Sequence, residues 1–131
     1  MEWIGVRRPL SREEVERVGE ALDFVLPVDY ADWIGAVNGG ALRGAWVEIP
    51  GVGAVPYARN VPLHREAAGS VYDLFPELGG LFPFAQVGNG DYFCFLPAGG
   101  VVLYRHETQT TVSVCDAFSQ LMERLHTPEN P

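Results

Sequence analysis

Residues 81–106 read LFPFAQVGNGDYFCFLPAGGVVLYRH, and this stretch decides the fold class. Leu81–Val87 is an apolar run of strand length. Gly88-Asn89-Gly90 follows, three residues that accept positive φ and so suit a tight turn. Asp91–Leu96 is the next strand, Pro97-Ala98-Gly99-Gly100 turns again, and Val101–His106 is the third strand. Glu107–Gln109 then turns into a fourth strand, Thr111–Val114. Short strands joined by tight turns form an antiparallel β-meander. Within Asp91–Leu96, alternation places Tyr92, Cys94 and Leu96 on one face. Phe93 and Phe95 share the other with Asp91. A strand apolar on both faces is a central strand covered on both sides.

Upstream of the meander the period changes to that of helices. Ser11 is an N-cap and Glu14, three residues later, completes a capping box. Leu10 and Val15 are spaced as a hydrophobic staple, and Val15, Val18 and Leu22 form a helical stripe. Arg12–Glu16 and Glu13–Arg17 are i,i+4 pairs. Pro27 breaks this helix by pushing Leu26 out of the α region. A second helix is expected over Val28–Val37, with Tyr30, Trp33, Ile34 and Val37 on one face. Asn38-Gly39-Gly40 ends it, because Asn and Gly tolerate the left-handed conformation.

Trp46–Ile49 and Ala54–Tyr57 read as two short strands around Pro50-Gly51-Val52-Gly53, and Pro56 makes the second an edge strand, open to pairing with another chain, or an irregular one. A helix is expected within Leu63–Phe75, weakened by Gly69, followed by a loop over Pro76–Gly80. The last helix is expected over Asp116–His126, with Phe118, Leu121, Met122 and Leu125 as its core stripe. Residues 127–131 form a frayed tail. Helices at both ends flank an antiparallel sheet, so the fold class is α+β. With no linker or repeat, residues 1–131 are expected to form a single domain with its core over about 11–126.

Composition narrows function by exclusion. Of 131 residues, 47% are hydrophobic and 20% charged, which describes a globular chain with one core. Nine basic residues against 17 acidic ones leave a net charge of -8. Nucleic acids and anionic membranes require a cationic face, so neither is an expected partner; a cationic protein is. No apolar run approaches the roughly 18 residues of a membrane span, and Met1–Leu10 has no signal-peptide core. Two cysteines are too few for a disulfide framework, so a reduced, cytoplasmic protein is expected.

Catalytic patterns are missing. His64, His106, His126, Cys94 and Cys115 share no metal-ligand spacing, so no metal is expected. The chain has no lysine, which excludes a Walker-type phosphate loop, and Gly51-Val52-Gly53 precedes a strand and not a helix. Cys94, amid aromatics, reads as a buried hydrophobe, whereas Cys115 at a helix N-terminus is a site for a lowered thiol pKa. No catalytic residue and no cofactor are assigned. Asp91 has two readings. Either its carboxylate is presented to a partner, or it accepts backbone N–H bonds from the Gly88–Gly90 turn. His106-Glu107 is an exposed hairpin tip. Charge adds a further pointer, because 39 residues between Arg65 and Arg105 carry no base, and residues 18–42 hold Glu20, Asp23, Asp29 and Asp32 with none. This is either a generic acidic surface or a patch that steers a cationic partner.

Three segments together resemble one family. Leu26-Pro27-Val28-Asp29-Tyr30 running to Asn38-Gly39-Gly40 resembles its first signature. Phe82-Pro83-Phe84-Ala85 with Gly88–Phe95 resembles its second, and Val102–Glu107 followed by Asp116–Leu121 its third. The family is the SUKH superfamily, which includes yeast cell-wall-assembly regulators of the Knr/Smi type and many bacterial homologues. The resemblance spans roughly residues 11–126. The chain departs from it at Gln86-Val87, where members often place an acid-rich stretch.

The resemblance implies an α+β fold and a non-enzymatic role. Bacterial members are mostly regarded as immunity proteins that bind and neutralise toxins, often nucleases. The expectation is therefore a cytoplasmic protein that occludes a cationic toxin domain, with Asp73, Glu77, Asp91 and Glu107 as partner-binding residues. A regulatory or scaffold module without a toxin is the alternative. A small-ligand binder or enzyme using a pocket between meander and helices is a third reading.

Overall fold

The computed structural model describes residues 1–129; Asn130 and Pro131, the end of the expected tail, lie outside the described residues. In chain order the elements are α1 (Arg12–Leu22), α2 (Val28–Ile34), β1 (Trp46–Ile49), β2 (Gly53–Pro56), β3 (Arg59–Asn60) and α3 (Val71–Leu74). They continue with β4 (Phe82–Gln86), β5 (Tyr92–Phe95), β6 (Val101–Arg105), β7 (Thr110–Cys115), α4 (Phe118–Glu123) and β8 (Leu125–His126). Single 3₁₀ turns, Gly35–Val37 and Phe75–Glu77, extend α2 and α3. Two antiparallel sheets result, one ordered β2-β1-β8 and the other β3-β4-β5-β6-β7. The α+β class and the meander stand as the sequence implied.

Local chemistry explains the helix ends. Ser11 Oγ accepts from the Glu14 N–H at 3.1 Å and Glu14 Oε1 accepts from the Ser11 N–H at 3.1 Å, the expected capping box. α1 ends where Asp23 turns left-handed at φ 53, and the Phe24 N–H folds back onto Gly19 O at 2.9 Å. After α2, the left-handed residue is Gly39, at φ 69; Asn38 has φ -51 and takes a different role. Residues 3–10 form an arm along this segment. Ile4 exchanges two backbone bonds with Ala41, and the N–H groups of Arg7 and Leu10 donate to Asn38 O and Gly35 O.

β5 lies at the centre of the five-stranded sheet, with Phe93, Cys94 and Phe95 buried. Its inner face packs Phe93 and Phe95 against Phe84, whose ring stacks on Phe95 at 4.1 Å between centroids. Tyr30 from α2 meets Phe82, Phe84, Phe95 and Phe118 at 5.0–6.2 Å, so α2 and α4 clamp the same aromatic layer. Aromatic pairs in such edge-on arrangements contribute about 0.5–1.5 kcal/mol each beyond area burial. The outer face carries a smaller cluster, Leu78, Cys94 and Val102, flanked by Tyr92, Leu96 and Tyr104. Pro83, lacking an N–H, sits where the β4–β5 register shifts.

Two expected helices are shorter. The segment 63–75 yields only α3 and its 3₁₀ turn, because Gly69 is left-handed and Val71 N–H donates to Pro62 O at 2.9 Å. The expected loop over Pro76–Gly80 loses Pro76 and Glu77 to that 3₁₀ turn. The final helix stops at Glu123. Leu125 is buried instead through β8, paired with Val47, while the ring of His126 stacks on Trp46 at 5.2 Å. The frayed tail starts later than 127, since Thr127 lies in a β-bridge and Pro128 packs over Gly44.

Candidate functional site

The outer face of the meander gathers most of the sequence-derived candidates. Tyr92 on β5 and Tyr104 on β6 are cross-strand partners, which puts both side chains on the same face of the sheet. Asp91 immediately precedes β5, and His106 immediately follows β6, two residues beyond Tyr104. Asp91 Oδ1 accepts from the His106 backbone N–H at 3.1 Å and pairs with His106 Nδ1 at 2.7 Å. Gly90 sits beneath this ring with φ 93, where a Cβ would lie 3.0 Å from His106 Nδ1. The turn is closed by Asn89, whose Oδ1 accepts the Asp91 N–H at 3.1 Å.

This arrangement corrects the structural reading of Asp91. Its carboxylate takes its hydrogen bonds from His106 across the hairpin, not from the turn's own N–H groups. Burial raises the carboxyl pKa, the side chain being only 13% exposed. The two His106 hydrogen bonds and the charges of His106 and Arg105 outweigh that cost and hold it below the ordinary value.

Two shallow depressions meet at His106. One, of about 380 Å³, is lined by Leu74, Glu77, Leu78, Tyr92, Tyr104 and Gln109 together with Gly90 and His106. The other, of about 330 Å³, lies between Asn89, Asp91, Arg105, Glu107 and Thr108. Glu77, Asp91 and Glu107 therefore share one region around His106. Asp73 lines neither depression; its Oδ2 accepts the Gly69 N–H at 3.2 Å and closes the turn into α3. Burial, with the nearby Cys94 and Glu77, pushes the Tyr92 hydroxyl pKa up, so this phenol stays a neutral donor. Tyr92 and Tyr104 beside the exposed Glu77 carboxylate are the residue types that suit a guanidinium or ammonium group.

The cysteines behave differently from one of the expectations. Cys94 is buried, and burial pushes its thiol well above the ordinary range, as expected for a small core residue. Cys115 closes β7 three residues before α4 begins, and burial raises its thiol instead of the helix end lowering it.

Buried polar residues escaped the sequence reading. Asn38, fully buried, donates from Nδ2 to Arg8 O at 2.8 Å and to His64 Nδ1 at 2.9 Å, and accepts the Leu63 N–H at 2.8 Å. Asn60, also buried, donates to Val37 O at 3.0 Å. The only signal for them is Asn38-Gly39-Gly40 itself, which reads equally well as a helix stop. These groups organise the backbone and do not face the meander site.

Among the described residues, no three His, Cys, Asp or Glu side chains cluster as a metal site, and no helix is long and apolar enough to cross a membrane. Residues 9–124 match the SMI1 / KNR4 family (SUKH-1). No curated protein and no solved structure matches the chain.

Proposed function

The chain belongs to the SMI1 / KNR4 family (SUKH-1), and from that premise we propose that it is a non-enzymatic binding domain that covers a cationic protein partner. The observation that carries this reading is the meander face, where Tyr92 and Tyr104 lie beside Glu77 and the Asp91–His106 pair, with Glu107 at the rim. A partner's arginine or lysine inserted there would meet ring faces and a carboxylate together. The net charge of -8 draws such a partner in from a distance.

The partner class we infer is a bacterial toxin domain, nuclease active sites being cationic, and the protein would act in the cytoplasm as its immunity protein. Neutralisation then requires only occlusion and no chemistry on a substrate. A second reading, a regulatory or scaffold module without a toxin, draws support from the same family membership together with the resemblance to cell-wall-assembly regulators of the Knr/Smi type.

Co-purification from the native host, combined with co-expression alongside the product of the adjacent gene, separates these readings. The immunity reading expects a basic partner retained by the wild type, lost with Glu77→Arg plus Tyr104→Ala, and toxic when expressed alone. A non-toxic partner supports the regulatory module. Recovery of no partner and no protection from any neighbouring product overturns the immunity reading.

A further inference from the structure

We propose that the groove between α1 and α2 is a second docking surface, whose occupant is a basic amphipathic segment of a partner protein. It shares no lining residue with the meander depressions and stands independently of them.

The groove exists because the chain reverses tightly after α1. Asp23 adopts φ 53, and Phe24 folds back so closely that a Cβ on Gly19 would lie 2.8 Å from Phe24 O. A glycine inside a helix is normally disfavoured relative to alanine; here it lets the two backbones meet. The reversal leaves a cleft of about 410 Å³ with Phe24, Leu26 and Ala31 among its lining residues. Val25, which lines it, is 89% exposed, and Val28, three residues on at the start of α2, is 67% exposed. Among the described residues these are the two most exposed large hydrophobic side chains.

Charge identifies what covers them. Glu16, Glu20 and Asp23 line the cleft. Its one base, Arg12, is already spent on Glu16 at 3.0 Å and on Asp32 at 2.8 Å. No ion pair among the described residues engages Glu20 or Asp23. Both also sit at the C-terminal end of α1, whose last turn has no base, and there the helix dipole already concentrates negative charge. The free protein thus carries an uncompensated negative focus beside exposed valines. A second copy of this chain would bring the same sign of charge and be repelled, and so would a nucleic acid. A helix with leucines on one face and lysines or arginines flanking them satisfies both features.

The test uses a fluorescein-labelled peptide of about four helical turns, built of leucine, alanine and lysine with one apolar face. A scrambled peptide of equal composition is the control. Binding is followed by anisotropy and mapped by amide chemical shifts on the full-length protein. The amphipathic peptide is expected to shift amides within residues 16–32 and to bind more tightly than the scrambled one. Val25→Ser with Val28→Ser, both at exposed positions, is expected to weaken binding on the order of tenfold. Glu20→Gln with Asp23→Asn is expected to weaken it roughly threefold to tenfold while raising Tm by about 1–3 °C, because it removes the clash with the helix dipole. Equal affinity for both peptides, shifts confined to Tyr92 and Tyr104, or unchanged affinity in both double variants would each overturn the proposal. Shifts confined to those tyrosines would leave the meander reading intact.

Discussion

The Tyr57 hydroxyl donates to Asn60 Oδ1 across 2.5 Å, and neither residue has any exposed surface. Asn60 passes the connection on, donating from Nδ2 to Val37 O at 3.0 Å, so a phenol, an amide and a carbonyl tie β3 to the end of the α2 segment. Burial pushes the Tyr57 hydroxyl far above the ordinary tyrosine range, which keeps it a donor at every pH the fold survives. Tyr57→Phe leaves a buried amide oxygen without its donor and should cost about 1–3 kcal/mol. Urea unfolding should show a lower midpoint with an unchanged m-value.

Asp91 offers a pH test with a defined sign. Its carboxyl is held below the ordinary 3.8 despite burial, because His106 and Arg105 favour the charged form. A depressed carboxyl contributes stability above the unfolded value and loses it as pH falls through the folded one. Asp91→Asn should therefore be less stable than wild type by about 1 kcal/mol at pH 6. The gap should close as pH drops below 3.8. Thermal melts across that interval measure it, and a gap that stays constant would contradict the assignment.

Gly35 has an ordinary helical φ of -57, so its conformation does not require glycine. A Cβ there would drive into the carbonyl oxygen of Leu10, on the arm that crosses it. Gly35→Ala, which would favour an isolated helix, should instead destabilise the protein by about 1–3 kcal/mol. The arm should loosen first. Trp3 packs edge-on against Trp33 at 5.3 Å and Tyr57 at 6.0 Å, so its fluorescence should shift red and the Ile4 amide should exchange faster.

Glu77, in the 3₁₀ turn after α3, and Glu107, in the turn between β6 and β7, are both exposed around the two tyrosines. Reversing both to lysine should slow association with the basic partner by about tenfold at low salt and far less at high salt. Stopped-flow rates at several ionic strengths would show this, and a change carried wholly by dissociation would count against steering.

How much of this was legible in the chain follows from the range of each interaction. The capping box, the β1–β2 hairpin and the meander rest on residues close in sequence, and each stood as read. β8 did not. Phe118, Leu121, Met122 and Leu125 keep helical spacing, yet Leu125 is taken by the open edge of β1, and no local pattern records that edge. Asn38 likewise meets Leu63 and His64 from far along the chain. The Asp91–His106 pair was only partly within reach, since counting register outward from the Pro97–Gly100 turn places Tyr92 opposite Tyr104 and Asp91 opposite Arg105, one residue short of His106.

The two sides of β1 are completed at different times during synthesis. β2 arrives a few residues later, across a turn in which the Val52 N–H donates to Ile49 O at 2.9 Å. The opposite side waits for Leu125 and His126. A nascent polypeptide still on the ribosome therefore shows Trp46 and Val47 with half their backbone groups unclaimed, a natural landing place for a chaperone that grips extended segments. A premature stop after Glu123 would make that condition permanent and leave the strand open to foreign pairing.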